Sequence, residues 1–309
     1  MSLVSYSRPM RRALALVVAA AVGLTSALSA TVGAATQSGL QVVAAENFWG
    51  SIAAQLGGNR VHVTSVITNP ATDPHDYEPT AADARTIAGA QMVIVNDIGY
   101  DPWARKLIDA NPVHGRIVLT VGDLVGVKAG GNPHRWYSPT DVQRVIGEIV
   151  RDYVKLDPKD AGYFRRQRTA FETRGLAQYE RLIATIKRKY HGVAVGASES
   201  IFALLAPALG LKLLTPPSFL KAISEGTEPT AADKSTVDSQ IAHRRIKVWI
   251  FNSQNSTPDV QRITDAARKQ GIPVTTITET LTSASATFQQ WQSEQLRALA
   301  AALHKATGR

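Results

Sequence analysis

The six residues EPTAAD occur at 78–83 and, unchanged, at 228–233. In an Ala-rich chain of 309 residues a repeat of this length arises by chance on the order of once in a hundred cases. The flanks match as well. Ahead of the first copy, LQVVAAENFWGSIAAQLGG reads as a buried strand and then a helix that stops at Gly57 and Gly58. Ahead of the second, GVAVGASESIFALLAPALGL reads the same way and stops near Gly210. After the first copy an Ala-rich helix leads to QMVIVND; after the second, KSTVDSQIAHRR leads to IKVWIFNSQ. Both are continuous apolar strands that end in asparagine, Asn96 and Asn252. Such strands, alternating with helices, belong in parallel sheets covered on both faces. The repeat therefore predicts an α/β protein of two similar lobes, each a parallel sheet flanked by helices. Thr80 and Thr230 are predicted N-caps, with Asp83 and Asp233 at capping-box spacing. EPTAAD itself is then a structural device that starts one helix per lobe.

Between the lobes, residues such as Tyr163, Phe164, Phe171, Leu176, Tyr179, Leu182 and Ile183 recur near helical spacing, and no proline interrupts them after Pro158. One long linker helix is expected over 158–190, weakened locally by Gly175. It separates an N-terminal lobe at 36–157 from a C-terminal lobe at 191–309. The first 35 residues read as a cleaved export signal: Arg8, Arg11 and Arg12 precede the apolar run ALALVVAAAVGLTSALSA and a small-residue stretch. Arg11 and Arg12 also fit a twin-arginine signal. No other stretch is apolar for long enough to span a bilayer. The expected location is therefore outside the cytoplasm, in the periplasm or at the cell surface.

The chain has no cysteine, which excludes disulfides, thiolate metal sites and a Cys-linked lipid. Three units of the formal charge of +9 belong to the leader. The remaining basic residues are scattered, and their densest run, YFRRQRTAFETRGLAQYERLIATIKRKY, is mixed with Glu. A solvated helix face accounts for it, so no nucleic acid is expected as partner.

Open parallel α/β sheets bind ligands at the carboxyl ends of their strands. Two histidines stand there in stiff Pro-His loops: His75 in NPATDPHDYEPT and His134 in GGNPHRWYSPTDV, the latter before a helix capped by Ser138. The other five histidines, His62, His114, His191, His243 and His304, lack this setting and read as structural. The second lobe has no Pro-His pair, but Glu199 and Glu279 each follow an apolar strand.

With these motifs in place the chain resembles the metal-binding solute-binding proteins of zinc, manganese and iron ABC transporters, over essentially the whole length after the leader. The resemblance rests on DPHDYEP, NPHRW, the linker helix, SESIF and TETL. It implies a cation held between the lobes by His75, His134, Glu199 and Glu279. The implied cargo is one divalent transition metal ion, Mn, Zn or Fe, and the implied partner is the membrane permease of an ABC transporter, served by a monomer. Zinc-favouring members often have a third histidine where Glu199 stands and a His-rich loop where this chain has VGVKAGG; manganese-favouring members usually have Asp at the place of Glu279. Two imidazoles and two carboxylates make a harder donor set than three imidazoles, which shifts preference toward Mn2+ or Fe2+.

Two other functions use the same residue types. An exported metallohydrolase would need an open coordination position and a separate base, for which Glu46 or Asp76 is available. A receptor for a metal chelate or vitamin would need an aromatic-lined pocket, from Trp49, Trp103 or Trp136, although core packing is the more natural role of these rings.

Overall fold

The computed structural model describes residues 39–309 apart from Asp73, His75, Asp76 and Ala284. The predicted leader and His75 thus lie outside the described residues. The apolar runs form two four-stranded parallel sheets with equivalent strand orders. In the first, β1 (Leu40–Glu46) lies between β2 (Val61–Ile67) and β3 (Met92–Val95), with β4 (Ile117–Thr120) beyond β3. In the second, β5 (Ala194–Ala197) lies between β6 (Lys212–Leu213) and β7 (Val248–Asn252), with β8 (Val274–Ile277) beyond β7. β3 and β7 are buried along their whole length, because helices cover both faces of each sheet. The edge strand β2 is mostly half-buried and carries the polar His62, Thr64 and Ser65.

Around the first sheet run α1 (Asn47–Gly57), α2 (Ala81–Ala88), α3 (Pro102–Ala110), the single turn α4 (Val121–Val125) and α5 (Pro139–Leu156). The EPTAAD repeat starts α2 with a full capping box: Thr80 Oγ1 accepts from the Asp83 amide, and Asp83 accepts from the Thr80 amide at 2.7 Å.

The linker is helical throughout, with one defect. A 3-10 turn at Pro158–Asp160 leads into α6 (Ala161–Ala170), a π-turn at Phe171–Gly175, and α7 (Ala177–Tyr190). At the π-turn the Leu176 amide donates to the Phe171 carbonyl, five residues back, at 2.8 Å. The Phe171 ring lies so close over Gly175 that a Cβ there would sit 3.0 Å from it. A glycine is what lets the ring fold onto the helix at this point.

The second sheet carries α8 (Leu205–Ala208), α9 (Pro217–Ser224), α10 (Ala231–Ala242), α11 (Pro258–Lys269) and α12 (Phe288–Thr307), the last packed along α7. The helix expected between β5 and Gly210 is instead a 3-10 turn at Ser200–Ala203 followed by the single turn of α8. Pro207 has no N–H to bond back to Ala203, so a regular helix cannot run through it. The irregular start leaves Glu199 in an extended conformation.

One buried core runs through both lobes and the linker, from Phe48 and Trp136 through Tyr153 and Phe164 to Tyr179, Phe288 and Trp291. Phe48 stacks on Trp136 with centroids 3.9 Å apart, and the Trp49 indole donates to Asn96 Oδ1 at 3.1 Å. Trp103 is buried in a separate cluster behind β3. Among the described residues no helix is long and apolar enough to cross a membrane.

Candidate metal centre

The loops after the strands of the two sheets meet across a cleft and bond to each other. Asn132 Nδ2 donates to the Ser200 carbonyl at 2.7 Å, Tyr137 Oη to the Thr278 carbonyl at 2.8 Å, and Gln254 Nε2 to the Pro70 carbonyl at 2.6 Å. A cavity of about 580 Å³ opens between the lobes, bordered by Pro70, Ile98 and Asn132 on one side and by Ser200, Gln254 and Glu279 on the other. Beside it, His134, Glu199 and Glu279 each present one ligand atom, and all three atoms lie within 4.8 Å of one another. Three of the four residues named from the sequence are thus brought together; the fourth, His75, is not among the described residues.

His134 is almost completely buried, at 1% exposure. Asn132 Oδ1 lies 2.8 Å from its Nδ1 and also accepts its backbone N–H at 3.0 Å. The other end of that amide is committed to the Ser200 carbonyl, so Oδ1 must face the ring and Nδ1 carries the proton. Nε2 is left with a lone pair aimed at Glu279 Oε2, 3.3 Å away. Burial holds the imidazole pKa down to about 4, against the opposing pull of the Glu199 charge. The ring is therefore neutral and ready to ligate at any ordinary pH.

The two carboxylates share a donor. Asn252, fully buried at the end of β7, sends Nδ2 to Glu199 Oε1 at 2.6 Å and to Glu279 Oε1 at 2.8 Å. Asn255 Nδ2 takes Glu199 Oε2 at 2.7 Å, and Tyr100, from the other lobe, donates to Glu279 Oε2 at 3.0 Å. Asn252 Oδ1 accepts the Gln254 amide, which fixes which way its own amide faces. Burial, reinforced by the charge of Glu279, pushes the Glu199 pKa well above the usual carboxylate range. Two carboxylates and a bare imidazole nitrogen crowded this closely need a proton or a cation among them.

Asn132, Asn252, Asn255 and Tyr100 were not singled out for these roles by the sequence reading. Asn252 left a trace there as the residue ending a strand, and Asn132 as the first residue of NPHRW. The remaining five histidines are all exposed and outside the cluster. Glu46 is fully buried but faces Asp101, and Trp49 and Trp136 are core residues rather than a pocket wall.

Compared with known families, residues 42–302 match the family described as ZnuA, zinc-uptake complex component A, periplasmic. A putative metal-binding protein of Treponema pallidum is 25% identical over 146 residues, which is 41% of this chain and 46% of that protein. The manganese ABC transporter substrate-binding lipoprotein PsaA of Streptococcus pneumoniae is 23% identical over 287 residues, 84% of this chain and 90% of that protein. The match thus spans less than half of the first relative and most of the second. Among solved structures, the SBP FpvC of P. aeruginosa, in complex with a Ni2+ ion, has the same fold, with a TM-score of 0.71 at 21% identity over 88% of this chain and 99% of that one.

Proposed function

The chain belongs to the ZnuA family of periplasmic zinc-uptake components, and on that premise we propose that it is an exported solute-binding protein that captures a divalent transition metal ion between its lobes and delivers it to the permease of an ABC transporter. The observation that carries this is the convergence of His134, Glu199 and Glu279. The first comes from one lobe and the other two from its counterpart, so parting the lobes divides the donor set and frees the ion. His75, in its Pro-His loop after β2, is the fourth donor of the proposal.

The second set of contacts around the donors supports capture rather than catalysis. Asn132 selects the tautomer of His134 that offers Nε2, while Asn252, Asn255 and Tyr100 hold the carboxylates in place. Two carboxylates against a dication leave the buried site near neutral. The cargo is of the Mn, Zn or Fe class: the carboxylates favour Mn2+ and Fe2+ more than a three-imidazole site would, while absolute affinity still follows the Irving–Williams order. The protein acts as a receptor and not as an enzyme. A hydrolase would need a base free to work at the cluster; of the two named from the sequence, Glu46 is engaged with Asp101, and Asp76 lies outside the described residues. A chelate receptor is disfavoured because no aromatic side chain borders the cleft cavity among the described residues.

Metal analysis of the purified chain and competition titrations test the reading. Replacing His134 or His75 with Ala is expected to weaken Mn2+ and Zn2+ binding by at least about tenfold, since loss of a direct donor costs no less than loss of a supporting contact. Unchanged affinity in both variants would remove the proposed site.

A further inference from the structure

The basic residues that look scattered along the sequence are gathered by the fold. In a parallel α/β lobe every helix returns to the amino end of the sheet, so all helix C-termini and strand starts collect at the end opposite the cleft. In the second lobe the last turn of α7 carries Lys187, Arg188 and Lys189, and β6 starts on Lys212. The turn from α10 into β7 carries Arg244, Arg245 and Lys247. Lys269 ends α11, and Lys305 and Arg309 lie at the end of α12.

Contacts confirm that these segments share one surface. Arg244, Lys247 and Lys305 border one shallow pocket. The Lys187 stem lies against Gly210 beside β6, the Lys247 amide bonds to Ala194, and Tyr190 Oη donates to the Arg309 carbonyl. All the basic side chains named above are exposed, and none forms an ion pair among the described residues. At this end Arg268, beside Lys269, is paired with Asp265, and elsewhere in the lobe Lys221, Lys234 and Arg262 are paired with acids.

Helix dipoles favour cations at helix C-termini, but the first lobe has the same dipoles without the same charge. Its corresponding end mixes Arg60, Lys155 and Lys159 with Asp109, Asp152, Asp157 and Asp160. Arg60 is neutralised by Asp160 at 3.0 Å, and Arg116 is spent on the carbonyls of Ile87 and Ala90. The fold alone therefore does not demand the second lobe's excess.

We propose that this cationic end of the second lobe is a docking surface for an anionic phospholipid bilayer. The charges are spread over the tips of several elements rather than gathered around one pocket: of the side chains named above, Arg244, Lys247 and Lys305 border the small recess there. No large apolar side chain is exposed there to stack on bases or insert among acyl chains, since Val113 of the first lobe is the one such residue exposed among those described. What remains is adsorption by charge at the headgroup level, which is short-ranged and sensitive to salt. Because the cleft is at the other end of the sheet, a protein held this way keeps its metal centre turned toward the bulk phase.

The test is sedimentation of the exported chain, freed of its leader, with vesicles of phosphatidylcholine alone or mixed equally with phosphatidylglycerol. Binding is expected only to the anionic vesicles at low salt and is lost in about 0.5 M salt, where the screening length falls to a few ångströms. The triple variant Lys187→Gln, Arg188→Gln, Lys189→Gln is expected to bind at least about tenfold more weakly, since each basic side chain near an anionic bilayer contributes roughly a fivefold factor. The variant Lys106→Gln, Lys155→Gln, Lys159→Gln removes the same charge from the first lobe and is expected to bind like wild type. No binding to anionic vesicles overturns the proposal, as does equal weakening in both variants, which would make net charge the cause. Binding to soluble polyphosphate but not to vesicles would assign the surface to an acidic polymer instead. Metal affinity, measured on the same variants, is expected to stay unchanged, so failure here is distinguishable from failure of the metal site.

Discussion

The two lobes place the same pair of residues at the same point of their sheets. Ala44 pairs with Ile94 in the first, Ala197 with Ile250 in the second. Two residues beyond these pairs stand Glu46 and Asn96 in one lobe, Glu199 and Asn252 in the other. In the second lobe the pair is turned to the cleft, where Asn252 binds Glu199 directly. In the first it is sealed inside. Asn96 there serves Trp49 and the carbonyl of Pro133, next to His134, while Glu46 is pressed against Asp101. Asp101 holds the N-cap position of α3, as Thr257 does for α11, but only Thr257 caps its helix. The Asp101 carboxylate instead accepts the amides of Asn96 and Asp97 at 2.7 and 2.6 Å. It thereby holds a turn in which Asp97 and Ile98 both have positive φ and which ends at Tyr100, the donor to Glu279. One scaffold position thus carries a carboxylate of the candidate metal centre in one lobe and braces the loops that carry Tyr100 and His134 in the other.

Exchanging the asparagines is expected to separate these roles most clearly. Asn252→Ala removes the donor shared by both carboxylates and should weaken metal binding by about 10- to 100-fold, as loss of a contact supporting metal ligands typically does. Asn96→Ala leaves the Trp49 indole without its acceptor and should lower stability by about 2 kcal/mol, with the smaller effect on affinity. Paired denaturation and metal titrations of the two variants decide it; equal effects on affinity would show that the lobes are not specialised in this way.

Glu46 gives the next contrast. Both of its oxygens are buried without a hydrogen-bond donor, and burial together with the Asp101 charge pushes its pKa well up, so it is the protonated acid that fits the site, donating to Asp101. Glu46→Ala should then cost about 2 to 3 kcal/mol, from a lost buried bond and a cavity. Glu46→Gln keeps a donor and should be near neutral in mild acid. A folded-state pKa raised in this way adds stability in full below the unfolded value, and the contribution is lost as pH rises through the folded one. Asp101, raised to about 6 by burial, acts in the same sense. The advantage of Glu46→Gln over wild type should therefore grow between mild acid and neutral pH in metal-free protein. Urea denaturation at several pH values checks this, and a constant difference would show that Glu46 is not protonated.

The metal centre itself should respond to pH through Glu199 rather than His134. The imidazole is already neutral, whereas Glu199, raised by burial and by Glu279, must give up a proton when a cation enters. Affinity should rise with pH above the ordinary carboxylate range, and calorimetry in buffers of different ionisation enthalpy should show proton release. Affinity independent of pH through that range would mean that Glu199 is already ionised in the metal-free protein.

Much of this was legible because its causes are local. Continuous apolar runs mark strands buried on both faces, and the duplicated EPTAAD marks the duplicated lobe. Glu199 and Glu279 stood out because a carboxylate after an apolar strand has few other reasons to be there. What was not legible depends on partners distant in sequence. Nothing near Tyr100 says that it crosses to Glu279, and nothing in Asn132 says that it spans from His134 to Ser200. The expected helix before Gly210 failed at Pro207, a local signal that the apolar pattern outweighed. The basic end of the second lobe escaped notice because the topology, not the sequence, brings its residues together.

The smallest expected difference lies in the repeat itself. In the first lobe Asp83 accepts from the Thr80 amide, the Thr80 hydroxyl and the Tyr77 hydroxyl, completing the box. In the second, Thr230 accepts the Asp233 amide at 3.1 Å, but Asp233 turns its carboxylate to the hydroxyls of Thr230 and Ser218, so the reciprocal bond to the backbone is missing. Identical hexapeptides therefore make unequal caps. Removing an N-cap hydroxyl costs about 1 kcal/mol on average, and more where the reciprocal bond goes with it. Thr80→Ala should exceed Thr230→Ala by a few tenths of a kcal/mol, because the mutation also frees Asp83 from the geometry that lets it hold the Thr80 amide. Thermal denaturation of the two single variants and the double variant measures it. The caps lie in different lobes and share no partner, so their effects should add. Equal losses would mean that the hexapeptide, rather than its neighbours Tyr77 and Ser218, sets the strength of the cap.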